Sequence, residues 1–209
     1  MKIEIKKEAF LLLCIAFLTA VIFFAEPLPA AEDDSFTEGY KNARWGMSQE
    51  QVKPAFPDMA FQQDDDDILY FLSRIADENV NVMFMFFDNR LFRVLLNFDI
   101  EEGAGGDYVA AFYKFDNYLR LKYGEPQHMV EPSPDNEFGG GTDFIASGKG
   151  LLASQWETKE STIRLSLTGT GGRLNLGIYY RSNRLEEQFK VFSELKTRHN
   201  SGHLEGNFE

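Results

Sequence analysis

Three apolar, β-rich runs follow one another between Ile68 and Ile100, and that succession limits the possible folds of this chain more than any other feature. Ile68 to Ile75, Val80 to Phe87 and Phe92 to Ile100 are each of strand length, separated by Asp77-Glu78-Asn79 and by Asp88-Asn89. Asn and Asp tolerate positive φ, so Asp88-Asn89 suits a tight hairpin turn. In the third run Phe92, Val94, Leu96, Phe98 and Ile100 share one face, and Arg93, Asn97 and Asp99 share the other. The middle run is apolar on both faces (Val82, Phe84 and Phe86 against Met83, Met85 and Phe87), as expected of a central strand covered on both sides. A meander of this kind needs a cover for its apolar face.

Helices on either side supply candidates for that cover. Tyr40 to Trp45 reads as a first strand. Ser48 then caps a short helix, with Gln51 completing a capping box and Met47 placed to staple onto Val52. Pro54 bends or shortens that helix and Pro57 ends it. Asp64 to Asp67 reads as a solvated acidic turn. Asp107 to Tyr123 is the clearest helix: Tyr108, Phe112, Phe115, Leu119 and Tyr123 form one stripe. Burying that stripe is worth on the order of 10 kcal/mol before entropy is subtracted. Gly124 and Pro126 stop the helix. Glu125 to Gly150 is a long loop rich in Pro and Gly.

Strands then resume. Leu151 to Trp156 is one, Ile163, Leu165 and Leu167 mark a second, and Gly169 to Gly172 turn the chain into a third marked by Leu174, Leu176, Ile178 and Tyr180. Asn183 with Glu186 starts a last helix carrying Leu185, Phe189, Phe192 and Leu195. The predicted fold class is α+β: two helix-plus-three-strand-meander halves forming antiparallel sheet covered by helices, with a C-terminal helix. The halves are 46–100 and 107–181, the last helix is 183–198, the α+β domain is 40–198, and 199–209 is a disordered tail.

Lys2, Lys6 and Lys7 precede an apolar run from Ala9 to Ala25, and Pro27, Pro29 and Ala30-Ala31 follow it. A basic start, apolar middle and small-residue exit make 1–31 an export signal or an uncleaved N-terminal anchor. In either case the remainder faces outward. Residues 32–39 read as an acidic tether. The lone cysteine, Cys14, lies inside the apolar run, so the exported part has no disulfide and no thiolate chemistry. The net charge of −12 belongs to residues after 31, because the first 31 carry three Lys and three Glu. Such a surface repels nucleic acid and anionic lipid.

Arg44-Trp45-Gly46-Met47-Ser48-Gln49-Glu50-Gln51-Val52 resembles the W-G-M-[S/T]-x-E-x-V opening of a group of bacterial exported proteins without an assigned activity. Leu119 to Pro126 resembles their L-x-x-K-Y-G-x-P helix ending, and the segments around Trp156 and Tyr179-Tyr180-Arg181-Ser182 are similar too. The resemblance implies export and carries no catalytic residue with it. A looser likeness of architecture is to tandem helix-plus-meander inhibitors and to small outer-membrane-assembly lipoproteins, both interaction modules.

The candidate chemistries are few. Asp64–Asp67 lacks the bend glycine and the bidentate Glu of a calcium loop. His199 and His203 are four apart, but Asn200, Ser201 and Gly202 between them are poor helix formers, so a metal pair is not expected. Gly139 to Thr142 and Ser147 to Gly150 fail the phosphate-loop spacing, and there is no G-x-S-x-G elbow. Trp45, Trp156 and Tyr179 are either core or a surface for a partner or ligand. The expectation is an exported, non-enzymatic binding module of the cell envelope, without cofactor or metal, whose partner is another envelope protein or a small ligand. Periplasmic or secreted placement follows, or an inner-membrane anchor through 9–25. A hydrolase using His128, Glu131 or Asp143, and a membrane-tethered structural protein, are the alternatives.

Overall fold

The computed structural model describes residues 36–100, 108–132 and 142–205, with backbone alone at 64 and from 195 onward. These residues belong to one compact unit, Phe36–Glu209. The segment expected to be an export signal or anchor, with Cys14, most of the expected tether, Gly139 to Gly141 and the last four residues lie outside them. No helix among the described residues is long and apolar enough to cross a membrane.

The fold is α+β, built on one antiparallel sheet of eight strands. In chain order the strands are β3 (Gln62–Asp65), β4 (Ile68–Ile75), β5 (Glu78–Phe87), β6 (Arg90–Asp99), β7 (His128–Val130), β8 (Leu152–Glu157), β9 (Ser161–Thr170) and β10 (Arg173–Ser182). They lie side by side in the order β3-β4-β5-β6-β10-β9-β8-β7. Each run of four consecutive strands is a meander, and the two join where β6 pairs with β10. The segment expected as a first strand, Tyr40 to Trp45, is instead a separate two-stranded hairpin, β1 (Gly39–Tyr40) and β2 (Ala43–Arg44). The described residues also include four α-helices: α1 (Gln49–Val52), α2 (Tyr108–Tyr123), α3 (Thr142–Ala146) and α4 (Asn183–Glu205).

The strand pattern puts Leu69, Phe71, Val82, Phe84, Val94, Leu96, Ile178, Leu165 and Trp156 on one face, all nearly inaccessible. Helix α2 lies on that face through Phe112, Phe115 and Leu119, with the Phe115 ring 4.2 Å from Phe98. Ile145 of α3 is buried in the same core. Tyr40 and Phe56 close it at one end, 6.2 Å and 5.3 Å from Phe84.

Both tryptophans belong to this core. Trp45 and Trp156 are 2% and 1% exposed, which removes them from the candidate surface. Their indole N–H groups are satisfied inside: Trp45 Nε1 donates to Ser161 Oγ at 2.8 Å and Trp156 Nε1 to the Gly124 carbonyl at 2.8 Å. The two recognisable motifs therefore have structural roles here. Gly46 donates to the Leu91 carbonyl and Leu91 to that of Met47, tying the opening segment to β6. Gln51 Oε1 accepts from the Ser48 amide at 2.9 Å, as the capping box requires. Gly124, at φ +82, ends α2 and presents its carbonyl to Trp156.

Other expectations shift in detail. Asp88 and Asn89 take φ of 53° and 52°, as a tight hairpin turn needs. The preceding turn falls on Ala76 and Asp77 rather than on Asp77 to Asn79, and Glu78 already belongs to β5. A bulge opposite Met85 and Phe86 makes Phe92 an extra residue, so Leu91 takes the core position and the Phe92 ring packs on Phe87 and Phe189. Part of the acidic run becomes strand β3, and the long loop contains β7 and α3. The last helix continues to Glu205, past the expected end at 198 into the segment expected to be disordered.

Core and surface leucines should respond very differently to truncation. Leu165→Ala, at a side chain with no exposure, should cost about 2–5 kcal/mol. Leu121→Ala, on α2 at 86% exposure, should stay within about 0.5 kcal/mol of wild type. Urea unfolding followed by circular dichroism measures both.

Candidate binding surface on the open face of the sheet

Side chains alternate across a strand, so the residues between the core positions point to the opposite face. Strand register assembles them into rows. One row runs Met83, Leu95, Tyr179, Arg164, Gln155 and His128 from β5 to β7. The next runs Met85, Arg93, Arg181, Thr162 and Glu157. A third, Asn97, Gly177, Ser166, Ala153 and Val130, lies on the other side of the first.

This face is half-covered. Helix α4 leaves β10 directly and lays Phe189 against Phe87 and Phe92, with ring centroids 5.4 Å and 5.0 Å apart. Beyond that corner the face is open: Tyr179 is 42% exposed, and Arg164, Asn97 and Thr168 are exposed too. Small side chains deepen its middle. Ser166 and Ala153 are buried beneath longer neighbours. A Cβ added to Gly177 would stand 3.2 Å from the Tyr179 ring and 3.3 Å from the Leu96 carbonyl oxygen, so glycine allows Tyr179 to lie over the strand. The result is a depression of about 440 Å³ lined by Met85, Leu95, Tyr179, Arg93, Arg164, Arg181, Gln155, Thr162, Ser166 and Thr168, among others.

Three arginines meet in this depression on a chain of net charge −12. Arg93 and Arg181 are direct cross-strand partners, and Arg164 is paired with Tyr179, two residues before Arg181. Like charges placed directly opposite one another across a ladder are destabilising. Glu186, from the first turn of α4, offsets part of this. Its carboxylate takes a two-pronged contact from Arg93, 2.7 Å to Nε and 2.5 Å to an Nη. Arg93 also stacks on Phe92 and Phe189, at 4.8 Å and 5.2 Å from the ring centroids. Burial works against the charge on Glu186, but the hydrogen bonds and charge of Arg93, with Arg181 and Lys190 nearby, outweigh it and hold the carboxyl below the usual range. Arg93 thus serves to clamp α4. Arg164 and Arg181 make no salt bridge and no side-chain hydrogen bond among the described residues.

The expected site residues scatter. Tyr179 is on the open face, while Trp45 and Trp156 are in the core. His128 is exposed on edge strand β7, at the end of the row that holds Arg164. Glu131 accepts a hydrogen bond from the Tyr113 hydroxyl at 3.2 Å, and Asp143 is exposed on the first turn of α3. No hydrogen bond joins any two of these three. Among the described residues no group of three His, Cys, Asp or Glu side chains is placed to hold a metal. Sequence reasoning passed over Arg164 and Arg181. The available signal was arginine at outward strand positions, between Ile163 and Leu165 and after Tyr180, with no carboxylate beside it.

A second depression, of about 450 Å³, lies between α2 and the covered face and is lined by Ile75, Leu96, Phe115, Leu119, Ile178 and Lys122, among others. Comparison with protein families, with curated proteins and with solved structures gives no match.

The Glu186 contact sets a pH dependence. A carboxyl held lower in the folded than in the unfolded chain adds stability that is complete above the unfolded value, about 4.3, and is lost as pH falls through the folded value. Glu186→Gln should therefore cost about 1–2 kcal/mol near neutral pH, a figure reduced because the Arg93 side chain is 37% exposed. The gap between variant and wild type should close on acidification below about pH 4. Thermal melts of both proteins over a pH series read it directly.

Proposed function

We propose that this chain is an exported binding protein of the bacterial envelope and that the open face of the sheet is its binding surface. One observation carries the reading: helices pack on one face of the sheet, while the other keeps a half-open depression in which Arg164 and Arg181 make no salt bridge among the described residues. A surface with only a structural role would have little reason to hold like charges across a ladder. The basic-apolar-small sequence of 1–31 supports export, as does the resemblance to exported proteins with the W-G-M-[S/T]-x-E-x-V opening. The strand order supports reading the sheet as two related halves, each a helix followed by a meander. The reading is non-enzymatic, and the partner is another envelope component or a small ligand.

Titration of the isotope-labelled chain with a soluble envelope extract tests this. Amide shifts should concentrate in β6, β8, β9 and β10 and spare α2. Shifts confined to α2 and the first hairpin, or none at all, would remove the open face as the binding surface. N-terminal sequencing of the mature chain tests export separately: loss of the first residues up to about Ala31 is expected for a cleaved signal, and retention of Met1 through Ala25 for an anchor.

A further inference from the structure

Resting on that reading of the open face, we infer that the depression takes a small organic anion with an apolar body, its acidic head held by Arg164 and Arg181 and its body laid on Leu95, Met85 and Tyr179. The volume, about 440 Å³, falls in the range of small-molecule pockets. The lining is mixed in the manner of such sites, with apolar side chains beside a few convergent donors. Arg164 and Arg181 are diagonal neighbours on adjacent paired strands of one face and both line the depression, which puts two guanidinium groups at hand for a single acidic head. Thr168 and Gln155 add polar groups at the rim.

The occupant's size follows from charge. A net charge of −12 repels extended polyanions such as nucleic acid or an anionic bilayer, whose charges remain close to the whole surface. A small anion in the depression is beside the arginines that line it, and the one carboxylate in the lining, Glu186, is already neutralised by Arg93; charges farther off than about 8 Å are largely screened at physiological salt. Glu186 lines the depression and is hydrogen-bonded twice to Arg93; it also feels the charge of Arg181, but neither Arg181 nor Arg164 makes a salt bridge to it, so both keep their guanidinium donors for a ligand.

The full exported chain can be titrated with anilinonaphthalene sulfonate, an aromatic body with one anionic head, and with N-phenylnaphthylamine, which has a similar aromatic body and no charge. The sulfonate should bind, and the double variant Arg164→Gln/Arg181→Gln should weaken it on the order of tenfold or more. Decanoate should displace the dye, and inorganic phosphate at the same concentration should not. The double variant should fold and melt close to wild type, because removing the like charge that faces Arg93 offsets the loss of Arg181's support for the Glu186 carboxylate. Equal dye binding by wild type and double variant would place the dye elsewhere, such as between α2 and the sheet, and overturn the inference. So would equal affinity for the uncharged compound, equal displacement by phosphate, or no sulfonate binding by a folded wild type. Each of these results leaves the envelope-extract mapping free to succeed with another kind of partner, so the two readings fail separately.

Discussion

Without the antiparallel pairing of β6 and β10, each meander would end in a ten-residue strand with a bare hydrogen-bonding edge. Long apolar edges recruit other strands, and folded proteins protect them. Joining the two inner edges removes the hazard for both and makes one hydrophobic layer of Phe71, Val82, Leu96, Ile178 and Leu165 running across the seam. The outer edges are protected differently. β3 and β7 have only four and three residues, and the acidic run from Asp64 to Asp67 puts charge at the first of them. The acidic stretch that reads as a bare turn in the sequence therefore belongs partly to edge protection.

The same seam creates the electrostatic problem on the opposite face. The register that sets Leu96 beside Ile178 in the core necessarily sets Arg93 beside Arg181 outside it. A one-residue slip would relieve the arginines and turn every core side chain outward, so the hydrophobic term wins by a wide margin. The cost is reduced locally by Glu186, which α4 delivers because that helix starts at the very end of β10. Chain connectivity thus places one countercharge in hydrogen-bonded contact with Arg93 and within electrostatic reach of Arg181.

Much of the fold was legible because it rests on local signals. The strand from Ile68 to Ile75, the hairpin at Asp88-Asn89, the stripe of α2 and the stop at Gly124 all follow from alternation, turn chemistry or helical spacing within a few residues. Where competing local signals met tertiary packing, the reading slipped. Phe92 continues the alternation in sequence, but the bulge hands its core place to Leu91 and turns its ring toward Phe189 of α4. Trp45 and Trp156 are large and amphipathic enough to suit either a groove or a core, and only their burial and the partners of their indole N–H groups, Ser161 Oγ and the Gly124 carbonyl, decide it. The arginine patch was harder still to see. Arg93, Arg164 and Arg181 come from three strands, and nothing short of the register shows that they share one corner of one face.

Placing a basic depression on an acidic protein acts as a filter by range. At a distance, an approaching anion meets the summed negative field, which falls off over roughly a screening length. Close in, it meets guanidinium groups, whose charge-assisted hydrogen bonds are about twice as strong as neutral ones. A ligand with a single acidic head gains the second effect and suffers little of the first, whereas a polyanion cannot bring one charge close without bringing the rest. Making the whole surface basic would strengthen every anion alike and lose that discrimination. If the open face binds as proposed, the acidic remainder of the surface and the pair Arg164 and Arg181 would act as two parts of one selectivity device, with the overall charge of the chain as much a part of the site as the residues that line it.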